Sequence, residues 1–353
     1  MRRKTRFVCV SDTHGYTPSE AGFRLPPGDV LIHAGDLTNQ GSKTELCKTM
    51  NWIAAADYEV KIVVCGNHDI TLDTPFYIQN HANFHNKHPE NPSECLDIIT
   101  NASASILFLQ HQSAIVRLCK PNGPNTIFKV FGSPYSQCNG AWAFLYEDNE
   151  AEGLWAQIPL DADVVVTHTP PQGLCDGQSD LDAGFTKAMG CKALRDRMGR
   201  VKPCLAVCGH VHEARSYERV RWASASENED GGKDEVQTGI LPPQGSKKQS
   251  LVDLTGKRAP RLDNDAFIRA QPLPHEPDQS FVLSQTDETG SQGINANIQA
   301  QKHETCIVNA AITATNWPHR GGRKFHPGPI VVDLELPVWG PDSDQQLHIP
   351  IQQ

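Results

Sequence analysis

Five short apolar runs each lead into residues of metal-binding type. Phe7 to Val10 runs into Ser11-Asp12-Thr13-His14-Gly15, Val30 to His33 into Ala34-Gly35-Asp36, and Lys61 to Cys65 into Gly66-Asn67-His68-Asp69. Asp163 to Val166 runs into Thr167-His168-Thr169-Pro170, and Leu205 to Cys208 into Gly209-His210-Val211-His212. Carboxylate, amide and imidazole without thiolate suit borderline divalent ions such as Mn²⁺, Fe²⁺ or Zn²⁺. Two such ions sharing one carboxylate would form a clamp for a phosphate ester: two M²⁺, Asp12, Asp36 and one hydroxide sum to about +1. Each motif alone is an ordinary turn, helix cap or loop histidine. Their occurrence in order, always behind an apolar run, favours the metal reading.

The runs must be positioned by a sheet. They are four to seven residues long, rich in Val and Ile and bounded by Gly, Pro or Asp, which predicts buried strands. Further runs at Ser105 to Leu109, Ala114 to Leu118 and Thr126 to Phe131 have the same character. Helices are predicted at Ser42 to Ala56, Asp148 to Gln157 and Ala188 to Arg200, the first opened by a capping-box spelling, Ser42 with Glu45. Strand ends in an α/β sheet gather on one side, so residues distant in sequence converge there. The expected organisation is a core over 1–222, a polar insertion over 223–303 that reads as disordered, and strands over 304–353 that complete the core.

Lys plus Arg number 32 and Asp plus Glu 41, a net charge of −9, which leaves no global positive field for a nucleic-acid partner. The eleven cysteines are odd in number, scattered and without a CxxC pair, a pattern of buried reduced thiols that points to a cytoplasmic protein. The basic start, Met1-Arg2-Arg3-Lys4, precedes an apolar run far too short for a signal peptide, and no run approaches the length of a membrane span. No membrane association is expected.

The ordered set D-x-H, GD, GNHD, a lone His and GHxH resembles the calcineurin-like metallophosphoesterase superfamily. Within it the chain is most similar to the group of metallophosphoesterase-domain-containing proteins known from brain and fungi, through Phe131-Gly132-Ser133-Pro134-Tyr135, Gly190-Cys191-Lys192-Ala193-Leu194 and Val308-Asn309-Ala310. The resemblance implies an α/β fold, a four-layer αββα sandwich. It implies that Asp12, His14 and His212 hold one divalent ion, that Asp36 bridges, and that Asn67, His168 and His210 hold a second, with manganese first and iron or zinc as alternatives. A metal-bridging hydroxide is then the nucleophile. His68 would donate a proton or hydrogen bond to the leaving oxygen, with Asp69 orienting or charging it, and Asn67 and His68 would touch substrate.

One departure bears on substrate. Ser/Thr phosphatases of this superfamily continue GD as GDxxDRG, whereas Asp36 is followed by Leu37-Thr38-Asn39-Gln40-Gly41. Without that guanidinium fork a monoanionic phosphodiester becomes the expected substrate, and the resemblance to the metallophosphoesterase-domain-containing group implies cyclic nucleotides as the leading candidates. The alternatives are a phosphomonoesterase or protein phosphatase, and a metal- or nucleotide-binding scaffold with vestigial activity. Elsewhere, His81, His85 and His88 are expected in an exposed loop, and Tyr135, Trp142, Phe144 and Tyr146 in core packing rather than under a base. Arg215, Arg219 and Arg221 read as a solvated face, with contact to an anionic substrate behind His212 as the alternative, and Asn309 reads equally as a brace for the site or an ordinary strand-end hydrogen bond.

Overall fold

The computed structural model describes residues 1–137, 140–180, 185–223, 233–243, 246, 248–265, 281–284, 302–316, 319 and 321–339. Two sheets dominate. In the first, strands run in the order Ser250–Asp253, Ile330–Pro337, Arg2–Val10, Val30–Ala34, Val60–Val64 and Ile106–Phe108. The second orders Glu235–Thr238, Ser216–Arg221, Glu304–Asn309, Leu205–Cys208, Val164–Thr167, Ile127–Ser133, Gln112–Arg117 and Phe281–Ser284.

Alternation along the strands creates four layers. Phe7, Cys9, Ile32, Ile62 and Val64 of the first sheet face Phe128, Val130, Val164, Val166, Val207 and Val308 of the second in one buried cluster. Their neighbours point the other way: Val8, Leu31 and Val63 pack under Leu46, Met50 and Ile53 of the Lys43–Ala55 helix and Cys95 and Ile99 of Pro92–Thr100. Val165, Ala206 and Ile307 meet Trp155 and the Leu194, Met198 and Val201 face of Lys192–Val201. Strands buried on both faces explain why the apolar runs show no alternation in sequence. The expected αββα sandwich is the fold observed.

Ser42 caps the Lys43–Ala55 helix with the reciprocal Glu45 bond. The third expected helix begins at Lys192 instead of Ala188, because Phe185–Ala188 pairs with Gly177–Asp180 and Cys191 is the cap. Thr74–Asn80 and Pro92–Thr100 are additional helices, each opened by an Asp or Asn cap and a proline in the first turn.

The stretch expected to be a disordered insertion differs in part. Glu235–Thr238, Ser250–Asp253 and Phe281–Ser284 add strands to the two sheets, borrowing a ladder from neighbours that a polar sequence could not build alone. Residues 224–232, 244, 245, 247, 266–280 and 285–301 lie outside the described residues. Of the three arginines expected on a solvated face, Arg221 is exposed, whereas Arg215 and Arg219 are half-buried. Arg215 donates to the Ala311 carbonyl at 3.0 Å and to that of Gly328. Arg219 and Arg221 pair with Glu304 at 2.7 and 3.3 Å, because their strand lies antiparallel to Glu304–Asn309.

Candidate metal centre

The central strands of both sheets are parallel, so their carboxyl ends share one edge. A bridge between Ser11 and Ala311 joins the two sheets there, and the five motif-bearing turns converge on it. Asp12, His14, Asp36 and His210 adopt left-handed backbone conformations, φ 53°, 46°, 52° and 67°. That conformation is costly for side chains bearing Cβ and persists only where surroundings over-determine it. Here they do: Asp12 N donates to Gly35 O at 2.9 Å, His14 N to Asp36 O at 3.0 Å and Gly15 N to Leu37 O at 2.8 Å.

Asp12, His14, Asp36 and His212 are all buried, and their ligand atoms lie within 4.8 Å of one another. His212 Nε2 is 3.3 Å from Asp12 Oδ1 and 3.1 Å from His14 Nε2, which is 3.7 Å from Asp36 Oδ2. On the other side of Asp36, His168 Nε2 is 3.4 Å from Oδ1 and 3.0 Å from Asn67 Oδ1. His210 Nδ1 stands 2.9 Å from Asn67 Oδ1 and 3.3 Å from His168 Nε2. Asp36 thus adjoins two groups of ligand atoms.

The donor set fits cations. His168 Nδ1 is 3.0 Å from the Ala34 carbonyl and His212 Nδ1 is 2.9 Å from that of Thr315, so each gives its Nδ1 proton to a backbone oxygen. Both Nε2 lone pairs then face carboxylate, amide or imidazole acceptors, an arrangement that needs a proton or a cation between the atoms. The electrostatics agree. Burial opposes charge throughout, yet the facing histidines hold Asp12 down at about 2 and Asp36 well below the ordinary carboxylate range. Against the same burial, Asp36 lifts His168 to about 9 and Asp12 raises His212, while burial keeps His14 and His210 neutral. Two buried carboxylates therefore require positive charge at the nitrogens that would bind metal.

Close approach depends on glycine. A Cβ on Gly66 would collide with Asp36 Oδ1 and lie 2.6 Å from His168 Cε1. Gly66→Ala should displace these two side chains, lowering metal content and cutting turnover about 10²-fold, as misplacement near 1 Å does. Metal analysis and kinetics check this, and unaltered values would show the turn to be slack.

Asn309 bonds into the loop that carries His210 and His212. Its Nδ2 donates to Val211 O at 2.9 Å and Cys175 O at 3.1 Å, and its Oδ1 accepts from Ala311 N at 3.2 Å. Asn309→Ala strands these buried groups and is expected to cost about 1–3 kcal/mol, measurable by denaturant unfolding.

His68 lies between aromatic rings, Trp142 at 4.0 Å and tilted by 34°, and His14 edge-on at 4.8 Å. Its Nδ1 is 2.8 Å from the Asn39 carbonyl and its backbone N donates to Asp36 Oδ1 at 2.9 Å. The expected orienting role of Asp69 is corrected here. The Asp69 carboxylate accepts from Gly66 N at 2.8 Å, Leu37 N at 3.1 Å, and Thr38 N and Oγ1 at 2.9 and 2.7 Å, pinning the two loops together. Burial and then the nearby Asp36 push it up to about 7. Asn39 orients His68 instead, through a main-chain oxygen that no side-chain pattern announces.

Of the other candidates, Phe144 and Tyr146 are buried, while Trp142 adjoins the site. Among the three clustered histidines, His85 bonds the Tyr77 hydroxyl at 2.9 Å and His88 is exposed.

Residues 5–214 match the family described as calcineurin-like phosphoesterase. The chain belongs to that family. Its calcineurin-like domain is similar to metallophosphoesterase domain-containing protein 1 of Homo sapiens, 35% identical over 218 residues, 59% of this chain and 61% of that protein. UPF0046 protein K07C11.7 of Caenorhabditis elegans is 32% identical over 219 residues, 59% of this chain and 63% of that one. A protein of Emericella nidulans named probable rhamnogalacturonate lyase C is 38% identical over 229 residues, 63% of this chain but 19% of the other. The chain thus spans less than two thirds of each of these relatives. Among the described residues no helix is long and apolar enough to cross a membrane.

Proposed function

We propose that this protein is a binuclear metal-dependent phosphoesterase acting on phosphodiesters, cyclic nucleotides foremost. The observation that carries the reading is Asp36, whose two carboxylate oxygens face separate groups of ligand atoms at 3.4 and 3.7 Å. Asp12, His14 and His212 would hold one ion, Asn67, His168 and His210 the other, and Asp36 both; Mn²⁺, Fe²⁺ and Zn²⁺ suit this donor set. When bound, the ions supply Lewis-acid activation of water and of the phosphoryl oxygens. Four residues around the ligands prepare that site. The carbonyls of Ala34 and Thr315 fix the tautomers of His168 and His212, leaving Nε2 as ligand. Asn39 occupies the Nδ1 proton of His68, so only Nε2 exchanges a proton with the departing oxygen. Trp142 covers one face of that imidazole and limits its access to water.

The diester preference rests on the Leu37-Thr38-Asn39 loop, which spends its groups on Asp69 and His68 and offers no guanidinium. Hydrolysis of cyclic AMP and cyclic GMP by protein reloaded with Mn²⁺ tests the substrate class. Release of the nucleoside monophosphate supports it. Turnover confined to monoesters would overturn the diester assignment.

A further inference from the structure

The loop after Asp36 carries no arginine, yet a guanidinium reaches it from the far end of the chain. Arg323, half-buried, donates from Nη2 to the side-chain oxygen of Asn39 at 3.1 Å, while the main-chain oxygen of Asn39 holds His68 at 2.8 Å. One residue therefore ties a permanent cation to the proposed proton donor. The same Nη2 lies 2.9 Å from His319 Nε2. His319 in turn meets the Thr315 hydroxyl at 3.0 Å, and the Thr315 carbonyl fixes His212. The guanidinium also rests 5.2 Å over the ring of Tyr16, whose backbone N bonds Thr13 O in the turn bearing His14. Arg323 thus touches the loops behind His14, His68 and His212 at once.

Its partners are all neutral. Among the described residues no carboxylate lies within ion-pair distance of Arg323, whereas Arg6 pairs with Asp333, Arg219 with Glu304 and Arg221 with Asp263. Among the described residues Nη1 has no hydrogen-bond partner, so its protons and the charge they carry are available to an anion bound beside Asn39. A phosphomonoester dianion carries one more negative charge than a diester, and a fixed guanidinium stabilises it selectively.

We propose that Arg323 is a specificity-determining residue that takes an anionic phosphoryl oxygen left uncovered by the Asp and His cluster, extending the site from monoanionic diesters to dianionic monoesters. This rests on the phosphoesterase reading above. The test compares p-nitrophenyl phosphate with bis-p-nitrophenyl phosphate on metal-loaded wild type and Arg323→Gln. The ratio of monoester to diester kcat/KM should fall about tenfold or more, carried by a higher monoester KM, with bound metal unchanged. Arg323→Lys, which keeps the charge, should recover part of the ratio. An unchanged ratio, even if both rates drop, overturns the proposal.

Two further arms keep the inferences separable. If wild type hydrolyses neither ester, the phosphoesterase reading fails, and calorimetric binding of inorganic phosphate to the metal-loaded protein still decides the role of Arg323: weakening of about tenfold supports it and equal affinity refutes it. If Arg323→Gln does not fold, Asn39→Ser removes the guanidinium's anchor while keeping the carbonyl that holds His68. It should lower the same ratio several-fold, and no change would count against the assignment.

Discussion

Asp36→Asn is expected to lower turnover by at least about 10³-fold and to reduce the number of divalent ions bound per chain. The size of the effect follows from position. Asp36 is the carboxylate adjoining both groups of ligand atoms, and its Oδ1 also accepts the backbone N–H of His68. An amide keeps the shape but removes the charge that faces His168 and His14, and it turns an NH₂ toward donors on one side. Bound metal is counted on the purified variant beside its turnover. A variant that kept both ions and its rate would remove the bridging role from Asp36, whatever happened to stability.

His68→Ala should act differently, lowering kcat about 10²- to 10³-fold on esters with alkoxide leaving groups while leaving the metal count at the wild-type value. His68 contributes a backbone N–H to Asp36 but its ring points to Asn39, Trp142 and His14. Its proposed work is protonation of the departing oxygen, so p-nitrophenolate, a stable anion, should need it less. The loss on p-nitrophenyl esters is therefore expected to be smaller than on alkyl esters. Equal losses on both leaving groups would assign His68 to positioning rather than to proton transfer.

Much of this architecture can be read in the sequence because the chemistry sits directly behind the strands. The Val and Ile runs are buried on both faces, and parallel pairing brings Asp12, Asp36, Asn67, His168 and His210 to one edge whatever the loops do. The polar tracts were harder to read. Ser250–Asp253 looks like linker because its ladder is provided by Ile330–Pro337, almost eighty residues later. Arg215, Arg219 and Arg221 look solvated because their acceptors, Ala311, Gly328 and Glu304, lie far along the chain. Contacts through backbone oxygens are invisible to motif reading, which is why Asn39 and Thr315 were missed while Asn309, flanked by Val308 and Ala310, was suspected. Arg323 carries no signal for a different reason: its acceptor is a side chain 284 positions away, and only the fold brings it to Asn39.

The central claim is that two cations held by these residues carry out phosphoester hydrolysis. Its most direct test strips the protein with chelator, titrates in Mn²⁺ or Zn²⁺, and follows diester hydrolysis against the number of ions bound per chain. Activity absent in the stripped protein, rising as the second ion binds and lost in Asp36→Asn, is the predicted result. Two bound ions with no hydrolysis of diesters or monoesters, or hydrolysis that persists without metal, would contradict it.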